Sequence, residues 1–374
     1  MDTDIATTWL RRSLRVAAAG PWPDPNPRVG CVLVAPDGSV VGEGFHRGAG
    51  TPHAEVVALA VARSQARGAT AYVSLEPCSH TGRTGPCAEA LIDAGVARVV
   101  FAQPDPTSAA GGAEMLRAAG IEVVGGVLAD EAAALNARWM RTVALGRPLV
   151  TWKFAATLDG RSAAADGTSQ WITGEESRAD VHSLRMSRDA IVAGTGTVLV
   201  DDPRLTVRMP THGGLRPQWT PQLPAGPSPE PRQPLRVVVG LRDVPDSARV
   251  REAPGEVLHL RTRHPHDVLA ALWDRGIRDV WLEGGPTLAA AFVAAGLVDE
   301  VYAYLAPALL GSGRTAVEDL GITSVTDIRR MSLVDVVTIG GDIRIHAIPF
   351  PVEASARATR RADISNRKQL SNER

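Results

Sequence analysis

The sequence predicts an α/β protein of two domains, and three observations support this prediction. A chain of 374 residues is too long for one compact core and suggests about two domains. Segments rich in β-branched residues alternate with helical segments, which is the pattern of sheets covered by helices. The alternation stops at Gly146-Arg147-Pro148 and begins again with a strand at Leu149. We therefore expect domains at 1–146 and 147–350, followed by a polar, basic and disordered tail at 351–374.

The composition narrows the class of protein further. The formal net charge is -1, so bulk electrostatics give no indication of nucleic-acid binding. The first twelve or so residues lack the apolar segment of a signal peptide, and no apolar stretch is long enough to span a bilayer. Two of the three cysteines belong to a candidate metal motif. This usage of cysteine predicts a reducing, cytoplasmic location.

The N-terminal half contains the elements of one sheet in order. Apolar spacing predicts a helix at 8–19, and Asp24-Pro25-Asn26-Pro27 must then form a stiff turn. Asp37-Gly38 predicts a hairpin between strands at 29–34 and 40–44. The remaining predicted elements are a helix at 53–67, a strand at 71–75, a helix at 87–94, a strand at 96–102, a helix at 113–119, a strand at 121–124 and one helix at 130–142.

A candidate metal site lies between His53 and Cys87. The segment opens with His53-Ala54-Glu55 and closes with Pro77-Cys78 and Cys87. One imidazole and two thiolates can hold zinc and leave its fourth position open to water, which is the layout of a catalytic site. Glu55 is not needed as a ligand, so it is placed to move protons between water and substrate. Zinc deaminases of nucleobases carry this signature, and their metal makes hydroxide available near neutral pH.

A structural zinc site or a disulfide is the alternative. A structural zinc usually has four protein ligands, and His80 could be the fourth. Cys31 lies inside a predicted strand and is interpreted as a small buried residue. Nucleobase deaminases typically space their cysteines as Cys-x-x-Cys, whereas eight residues separate Cys78 from Cys87. The longer loop contains Arg83, for which an anion contact and a solvated cation are equal alternatives.

The C-terminal half predicts a second sheet. Its elements are strands at 149–155, 190–193, 236–239 and 280–282, a helix at 175–185, a helix that ends at 295 and follows the segment 283–288, and a terminal strand pair at 298–305 and 333–348. Asp299-Glu300 suggests a turn into an edge or interface strand, and the Pro/Gly-rich stretch 210–234 predicts a surface insertion.

Two glycine-containing segments of this half follow strand ends. They are Gly194-Thr195-Gly196-Thr197 and Gly284-Gly285. Glycines between a strand and a helix let backbone amides approach a phosphate. Neither segment has the dinucleotide fingerprint, and a plain tight turn explains each equally well. Their occurrence twice in one domain favours a nucleotide cofactor.

Three segments together resemble a known family. They are Asp-Pro-Asn-Pro-Arg-Val-Gly-Cys-Val at 24–32, His-Ala-Glu at 53–55 and Glu-Pro-Cys-Ser-His-Thr-Gly-Arg-Thr at 76–84. They are similar to the bifunctional deaminase–reductases of riboflavin biosynthesis. The resemblance implies a cytidine-deaminase-like three-layer domain followed by a dihydrofolate-reductase-like α/β domain. It implies zinc-dependent deamination of the diaminohydroxy-phosphoribosylamino-pyrimidine, then NADPH-dependent reduction of the ribosyl group to ribityl. A homodimer or tetramer is expected by resemblance only.

The resemblance also implies site residues. In the first domain these are the zinc ligands His53, Cys78 and Cys87, the proton donor Glu55, and the pyrimidine and phosphate positions Asn26, His46, His80 and Arg83. In the second domain the implied substrate positions are Lys153, Ser169, Arg185, Leu205, Arg208 and Glu283. The implied NADPH positions are Ala156, Trp171, Thr197, Asp201, Gly285, Pro286, Thr287, Leu288, Ala289, Ala290 and Ala291.

Several of these residues have simpler interpretations. Asn26 is also a turn former, His46 a satisfied surface histidine, Asp201 a cap of the following turn, and Trp171 a core residue. Lys153, Arg185 and Arg208 are candidate cations for the substrate phosphate, and Asp201 is a candidate proton relay.

One pair departs from the family pattern. After the strand at 236–239 the family usually has Asp-Ser or similar, whereas this chain has Gly240-Leu241. A hydroxyl contact to substrate or cofactor is therefore lost.

A nucleoside or tRNA deaminase is a competing function, against which the long cysteine loop and the second domain argue. A second competing function is that of a non-catalytic, zinc-stabilised protein with a ligand-sensing domain. Substitution of Glu55 distinguishes this function from a deaminase, because it should abolish ammonia release while zinc stays bound.

Overall fold

The computed structural model describes residues 3–80, 85–208, 233–252 and 255–349. Arg83, nearly all of the predicted insertion and the predicted tail lie outside these residues. Contacts divide the chain into two compact units, formed mainly by residues 1–148 and 149–374. The limits 1–146 and 147–350 stay a prediction, and this division supports them. In the described ranges no helix combines the length and apolarity needed to cross a membrane.

The first unit is built on a five-stranded mixed sheet. Its strands are β1 (Gly30–Val34), β2 (Val40–Phe45), β3 (Thr70–Leu75), β4 (Arg98–Gln103) and β5 (Glu122–Gly125), in the order β2-β1-β3-β4-β5. β1 is antiparallel to both neighbours, and β3, β4 and β5 are parallel. The helices are α1 (Thr3–Ala17), α2 (Ala54–Ala62), α3 (Cys87–Asp93), α4 (Gly112–Ala118), α5 (Ala129–Leu135) and α6 (Ala137–Leu145).

Apolar side chains cover both faces of this sheet. Successive strand residues point to opposite faces, so Leu33 and Val73 join one cluster while Val32 joins the other. The first cluster includes residues of α2, α3 and α4, and the second includes residues of α1 and α5. The unit therefore has three layers, as predicted.

The structure corrects two helix predictions in this unit. The helix expected at 130–142 is two helices, because Asn136 has φ -109 and ψ 19 and separates α5 from α6. The helix expected at 53–67 ends at Ala62, where Arg63 takes a positive φ of 51. His53 also precedes this helix in an extended conformation instead of lying in its first turn.

The second unit contains an eight-stranded sheet. Its strands are β6 (Leu149–Thr157), β8 (Ala190–Gly194), β9 (Leu235–Val239), β10 (Val257–Leu260), β11 (Asp279–Leu282), β12 (Glu300–Ala306), β14 (Met331–Ile339) and β15 (Asp342–Pro349), in the order β10-β9-β8-β11-β6-β12-β15-β14. The six strands from β10 to β12 are parallel, and β15 and β14 are antiparallel additions. β7 (Arg161–Ala163) and β13 (Arg314–Thr315) form a separate pair.

The helices of this unit are α7 (Glu175–Arg185), α8 (Thr195–Asp201), α9 (Arg249–Glu252), α10 (Pro265–Asp274) and α11 (Pro286–Ala294). α7 has the predicted bounds. The segment 195–197, expected to be a turn, is instead the first turn of α8. β10 and α10 were not predicted.

Two strand predictions were wrong. The segment 333–348 is a hairpin of β14 and β15 that turns at Gly340-Gly341, not one strand. β12 is an interior strand between β6 and β15. Its preceding acidic residues are buried and paired, because Asp299 accepts a hydrogen bond from Val150 N–H (2.8 Å) and Glu300 from Thr151 Oγ1 (3.1 Å).

Candidate active sites

Three elements bring the predicted zinc ligands together. His53 immediately precedes α2, Cys78 follows β3, and Cys87 begins α3. His53 Nδ1 lies 3.1 Å from Cys87 Sγ and 3.7 Å from Cys78 Sγ. All three potential ligand atoms lie within 4.8 Å of one another. The predicted constellation therefore exists as a cluster.

This cluster fits a zinc ion. Tetrahedral zinc with ordinary bonds to nitrogen and sulfur separates its ligand atoms by about 3.6 Å, close to the distances found. In the part of the chain that the structure describes, no fourth His, Cys, Asp or Glu joins the group. His80 is exposed, and all three cysteines are free. The arrangement therefore favours an open, catalytic site over a structural zinc or a disulfide. Cys31 is fully buried in β1, as predicted.

Two residues of this site, Cys78 and Glu55, have pKa values that are shifted in opposite directions. Hydrogen bonds with Cys87 and His53 lower the pKa of Cys78 to about 4, so this thiol is a ready metal ligand. Glu55 is only 3% exposed. Burial is the main cause that raises the pKa of Glu55 to about 7.

Close backbone packing positions α2. A Cβ on Gly42 would lie 2.3 Å from the carbonyl oxygen of Ala58, and one on Gly44 would lie 2.5 Å from that of Ala54. Only glycine at these points of β2 lets the helix approach the strand so closely. The sequence pattern of β2 thus fixes the position of the helix that carries Glu55.

Glu76 supports the loop that carries Cys78. Its Oε1 accepts hydrogen bonds from the N–H groups of Gly111 and Ala113, each at 3.1 Å. Ser79 Oγ donates to the carbonyl of Ala110 at 2.7 Å. The segment after β3 is therefore tied to the segment that opens α4. Sequence reasoning missed this role, because the partners are backbone groups some thirty residues away.

Asn26 and His46 form a pair beside the zinc cluster. His46 Nδ1 lies 3.2 Å from the carbonyl oxygen of Pro52 and Nε2 lies 3.0 Å from Asn26 Nδ2. Donation from Nδ1 to Pro52 leaves Nε2 to accept from the Asn26 amide. The His46 ring stands nearly perpendicular to that of His53, with centroids 5.4 Å apart. His46 is 4% exposed, so its interpretation as a surface histidine was wrong.

The second unit assembles a charged cluster at the end of β11. Arg185 donates to both oxygens of Glu283, with Nε 2.8 Å from Oε1, and Trp281 Nε1 also donates to Oε1. Burial alone would raise the pKa of Glu283, but Arg185, Lys153 and the indole N–H lower it to about 2. Burial lowers the pKa of Lys153 against the attraction of Glu283. The predicted residues Lys153, Arg185 and Glu283 therefore lie together.

His182 extends this cluster and was missed. It accepts a hydrogen bond at Nδ1 from the Arg208 N–H (3.3 Å), and its Nε2 lies 3.2 Å from Arg208 Nη2. Burial, together with Arg185 and Arg208, lowers the pKa of His182 to about 4. Residues three apart share a helix face, so its position three residues before Arg185 was an available signal.

The predicted cofactor residues Thr197 and Asp201 each have one hydrogen-bond partner, and the seven from Gly285 to Ala291 lie at the start of α11. Thr197 Oγ1 accepts a hydrogen bond from Gly285 N–H (3.1 Å), and Asp201 accepts one from Ser169 Oγ (3.1 Å). Asp202 accepts a hydrogen bond from the Arg249 N–H at the start of α9 (2.8 Å). Gly285 precedes α11, and the remaining predicted positions form its first turns, namely Pro286, Thr287, Leu288, Ala289, Ala290 and Ala291. Glycines at the ends of adjacent parallel strands are typical of dinucleotide sites, so the space between the ends of β8 and β11 is the candidate cofactor groove.

Three predicted residues have other surroundings than expected. Ala156 and Leu205 are buried. Trp171 is 66% exposed, with the Arg178 guanidinium 4.4 Å from its ring centroid, so the core interpretation was wrong. His80 makes no side-chain hydrogen bond to another described residue.

Two family models match the chain. "Cytidine and deoxycytidylate deaminase zinc-binding region" matches residues 4–103, and "RibD C-terminal domain" matches residues 148–345. The riboflavin biosynthesis protein RibD of Mycobacterium tuberculosis is 48% identical over 326 residues, covering 87% of this chain and 91% of that protein.

Solved structures agree over nearly the whole chain. One of Acinetobacter baumannii RibD has a TM-score of 0.78 at 38% identity, covering 94% of this chain and 100% of the other. One of a diaminohydroxyphosphoribosylaminopyrimidine deaminase/5-amino-6-(5-phosphoribosylamino)uracil reductase from Thermotoga maritima has a TM-score of 0.73 at 31% identity, with the same coverage. The predicted fold class and both predicted enzyme classes are thus confirmed. The chain belongs to the RibD family of bifunctional riboflavin-biosynthesis enzymes, with a zinc-dependent deaminase domain and an NADPH-dependent reductase domain.

Proposed function

We propose that the first domain deaminates the diaminohydroxy-phosphoribosylamino-pyrimidine and that the second reduces the ribosyl group of the product to ribityl. The observation that carries the proposal is the presence in one chain of both clusters. One is the buried Glu55 beside His53, Cys78 and Cys87, and the other is the cationic cluster around Glu283.

In the first domain, His53, Cys78 and Cys87 would hold zinc, which when bound would make a water acidic enough to react near neutral pH. Glu55, buried beside these residues, carries a proton to the departing amine. Asn26 and His46 orient the pyrimidine, because their hydrogen bond fixes both side chains next to His53. We assign His80 and Arg83 to the substrate phosphate by family resemblance alone.

In the second domain, NADPH supplies the hydride. Arg185 is held by Glu283 through two hydrogen bonds, so we assign it to position the carboxylate instead of the substrate phosphate. Lys153 lies beside this pair and Arg208 is exposed next to His182, which leaves both cations available to the substrate. Asp201 holds Ser169, so these two residues are expected to act together on the bound ligand.

The partners and the location of the protein are also part of the proposal. The substrate is a small pyrimidine ribotide, with no nucleic-acid or membrane partner. We propose a homo-oligomer, a dimer or a tetramer, on family resemblance. We also propose a cytoplasmic location, because the two thiols of the metal cluster and Cys31 are all free.

The test follows both reactions in one mixture. Purified protein receives zinc, the diaminopyrimidine ribotide and NADPH, while ammonia release and NADPH oxidation are recorded together. We expect ammonia release to precede NADPH oxidation. Absence of both reactions in zinc-loaded protein would contradict the proposed function, and NADPH oxidation without ammonia release would contradict the proposed order.

Two variants serve as controls for each other. Glu55→Gln should retain zinc, abolish ammonia release, and still oxidise NADPH when given the deaminated ribotide. Lys153→Gln should release ammonia normally and lose NADPH oxidation. Full ammonia release by Glu55→Gln would refute the role of that carboxyl.

A further inference from the structure

The loop after β9 approaches α8 closely because residue 240 is a glycine. Gly240 has a φ of 139, and a Cβ on it would lie 2.3 Å from Thr195 Oγ1. Its carbonyl oxygen lies 2.9 Å from His259 Nε2, and its N–H donates to the carbonyl of Leu260 at 3.1 Å. The loop is therefore fixed between α8 and the end of β10. An aspartate, usual in the family at this position, would overlap Thr195.

This close passage places a guanidinium over the first turn of α8. A Cβ on Gly196 would lie 2.9 Å from Arg242 Nη2. Arg242 is exposed and has no hydrogen bond or ion pair with any residue in the described ranges. The next cation along this edge, Arg261, is by contrast paired with Asp243. In the described ranges Arg242 is thus a positive charge without a protein partner. It lies beside Gly196, which immediately precedes Thr197.

The sheet order shows which part of a dinucleotide reaches this charge. β11, β8 and β9 are parallel neighbours, so their carboxyl ends share one edge. The contact of Thr197 with Gly285 N–H lies between the ends of β8 and β11, in the candidate cofactor groove, where we assign the pyrophosphate. Arg242 lies on the other side of β8, after β9. The candidate substrate cluster, Lys153 on β6 and Glu283 after β11, lies on the side away from β9, so we assign the nicotinamide half of the cofactor to that side and its adenosine half to the β9 side.

We propose that Arg242 binds the 2′-phosphate of NADPH and sets the preference of this reductase for NADPH over NADH. Guanidinium groups bind phosphate oxygens in pairs, and arginine accommodates this phosphate in other dinucleotide sites. Arg242 then supplies a cofactor contact directly after Gly240-Leu241, the pair at which a hydroxyl contact to substrate or cofactor is lost. The proposal rests on the cofactor groove assigned above.

Binding measurements test the proposal without turnover. Dissociation constants of NADPH, NADH and 2′,5′-ADP are measured by calorimetry on the full-length wild type, on Arg242→Gln and on Arg251→Gln. Arg251 lies on α9 and is exposed, so its variant removes the same charge from a different surface position. Arg242→Gln should weaken NADPH and 2′,5′-ADP about ten- to a hundredfold and leave NADH unchanged, as expected for one charge-assisted hydrogen-bonding group. Arg251→Gln should bind all three ligands like the wild type.

Three results would overturn the proposal. Equal weakening of NADPH and NADH would mean that Arg242 binds a phosphate common to both cofactors. Equal weakening by Arg251→Gln would show a general effect of charge. Unchanged NADPH affinity in Arg242→Gln, with the same unfolding temperature as the wild type, would remove Arg242 from the site. Failure of the wild type to bind any of the three ligands would instead refute the cofactor groove itself.

Discussion

Replacing Asn136 tests how the turn that carries Asn26 is held. Asn136 separates α5 from α6 and is 5% exposed. Its Oδ1 accepts from the N–H of Arg28 and its Nδ2 donates to the carbonyl of Arg28, both at 2.9 Å. The side-chain amide thus pairs with Arg28 as a neighbouring strand would, just before β1 begins.

The expected loss can be worked out from these two hydrogen bonds. Asn136→Ala leaves one backbone donor and one acceptor of Arg28 without partners, and each such partly buried group costs about 1–2 kcal/mol. The free energy of unfolding of the first unit should therefore fall by about 2–4 kcal/mol. Asn136→Asp keeps the acceptor but turns a carboxylate oxygen towards the carbonyl oxygen of Arg28, so its loss should be at least as large as that of Asn136→Ala. Because the turn loosens, the KM for deamination should rise while the zinc content stays unchanged.

Urea denaturation of zinc-loaded protein measures the free energy of unfolding. The unfolding transition of the first unit is identified as the one whose midpoint shifts with added zinc. Ammonia release at varied substrate concentration measures the KM. An unchanged urea midpoint for Asn136→Ala would refute the role of the two hydrogen bonds. A lower midpoint with an unchanged KM would show that Asn26 does not depend on this turn.

Three other predictions concern close packing, pH and metal. Gly240→Ala should lower the free energy of unfolding of the second unit by about 2–5 kcal/mol, from overlap with Thr195 and the positive φ, as measured in urea. The pKa of His182 is lowered from 6.5 to about 4, so the unfolded chain binds this proton more readily and stability should fall as pH drops from 6.5 towards 4. His182→Gln should reduce that fall by about 1 kcal/mol, allowing for partial solvent exposure, when urea midpoints at high and low pH are compared. Chelation of zinc should abolish ammonia release but leave NADPH oxidation with the deaminated ribotide intact, because the metal ligands belong to the first unit.

The zinc cluster could be predicted because its signal is local. His53-Ala54-Glu55 and Pro77-Cys78 are short patterns at fixed spacing, and each lies at the boundary of a predictable element. The parallel strands were visible for a similar reason, since buried strands read as short apolar segments between turns. Local patterns of this kind can be recognised without any knowledge of the tertiary structure.

The missed features depend on contacts between distant segments. Asn136 has an unremarkable sequence context, and its effect on helix continuity comes from Arg28. The interior position of β12 depends on pairing with β6, which was not predictable from Asp299-Glu300. The hairpin at Gly340-Gly341 is different, because this glycine pair was a readable turn signal within the predicted strand.

Glu55 and Glu283 show why the charge of a site residue needs the tertiary structure. Both are glutamates near the end of a regular element, yet the pKa of Glu55 is raised to about 7 and that of Glu283 is lowered to about 2. β11 pairs with β6 in parallel, with Leu282 beside Trp152. The residues that follow these two are Glu283 and Lys153, so the pairing brings the carboxylate and the amine to the same end of the sheet. α7 then adds Arg185 to the same carboxylate. Strand order, not the residue type or its neighbours in sequence, therefore makes Glu283 a fixed anion that holds cations in place.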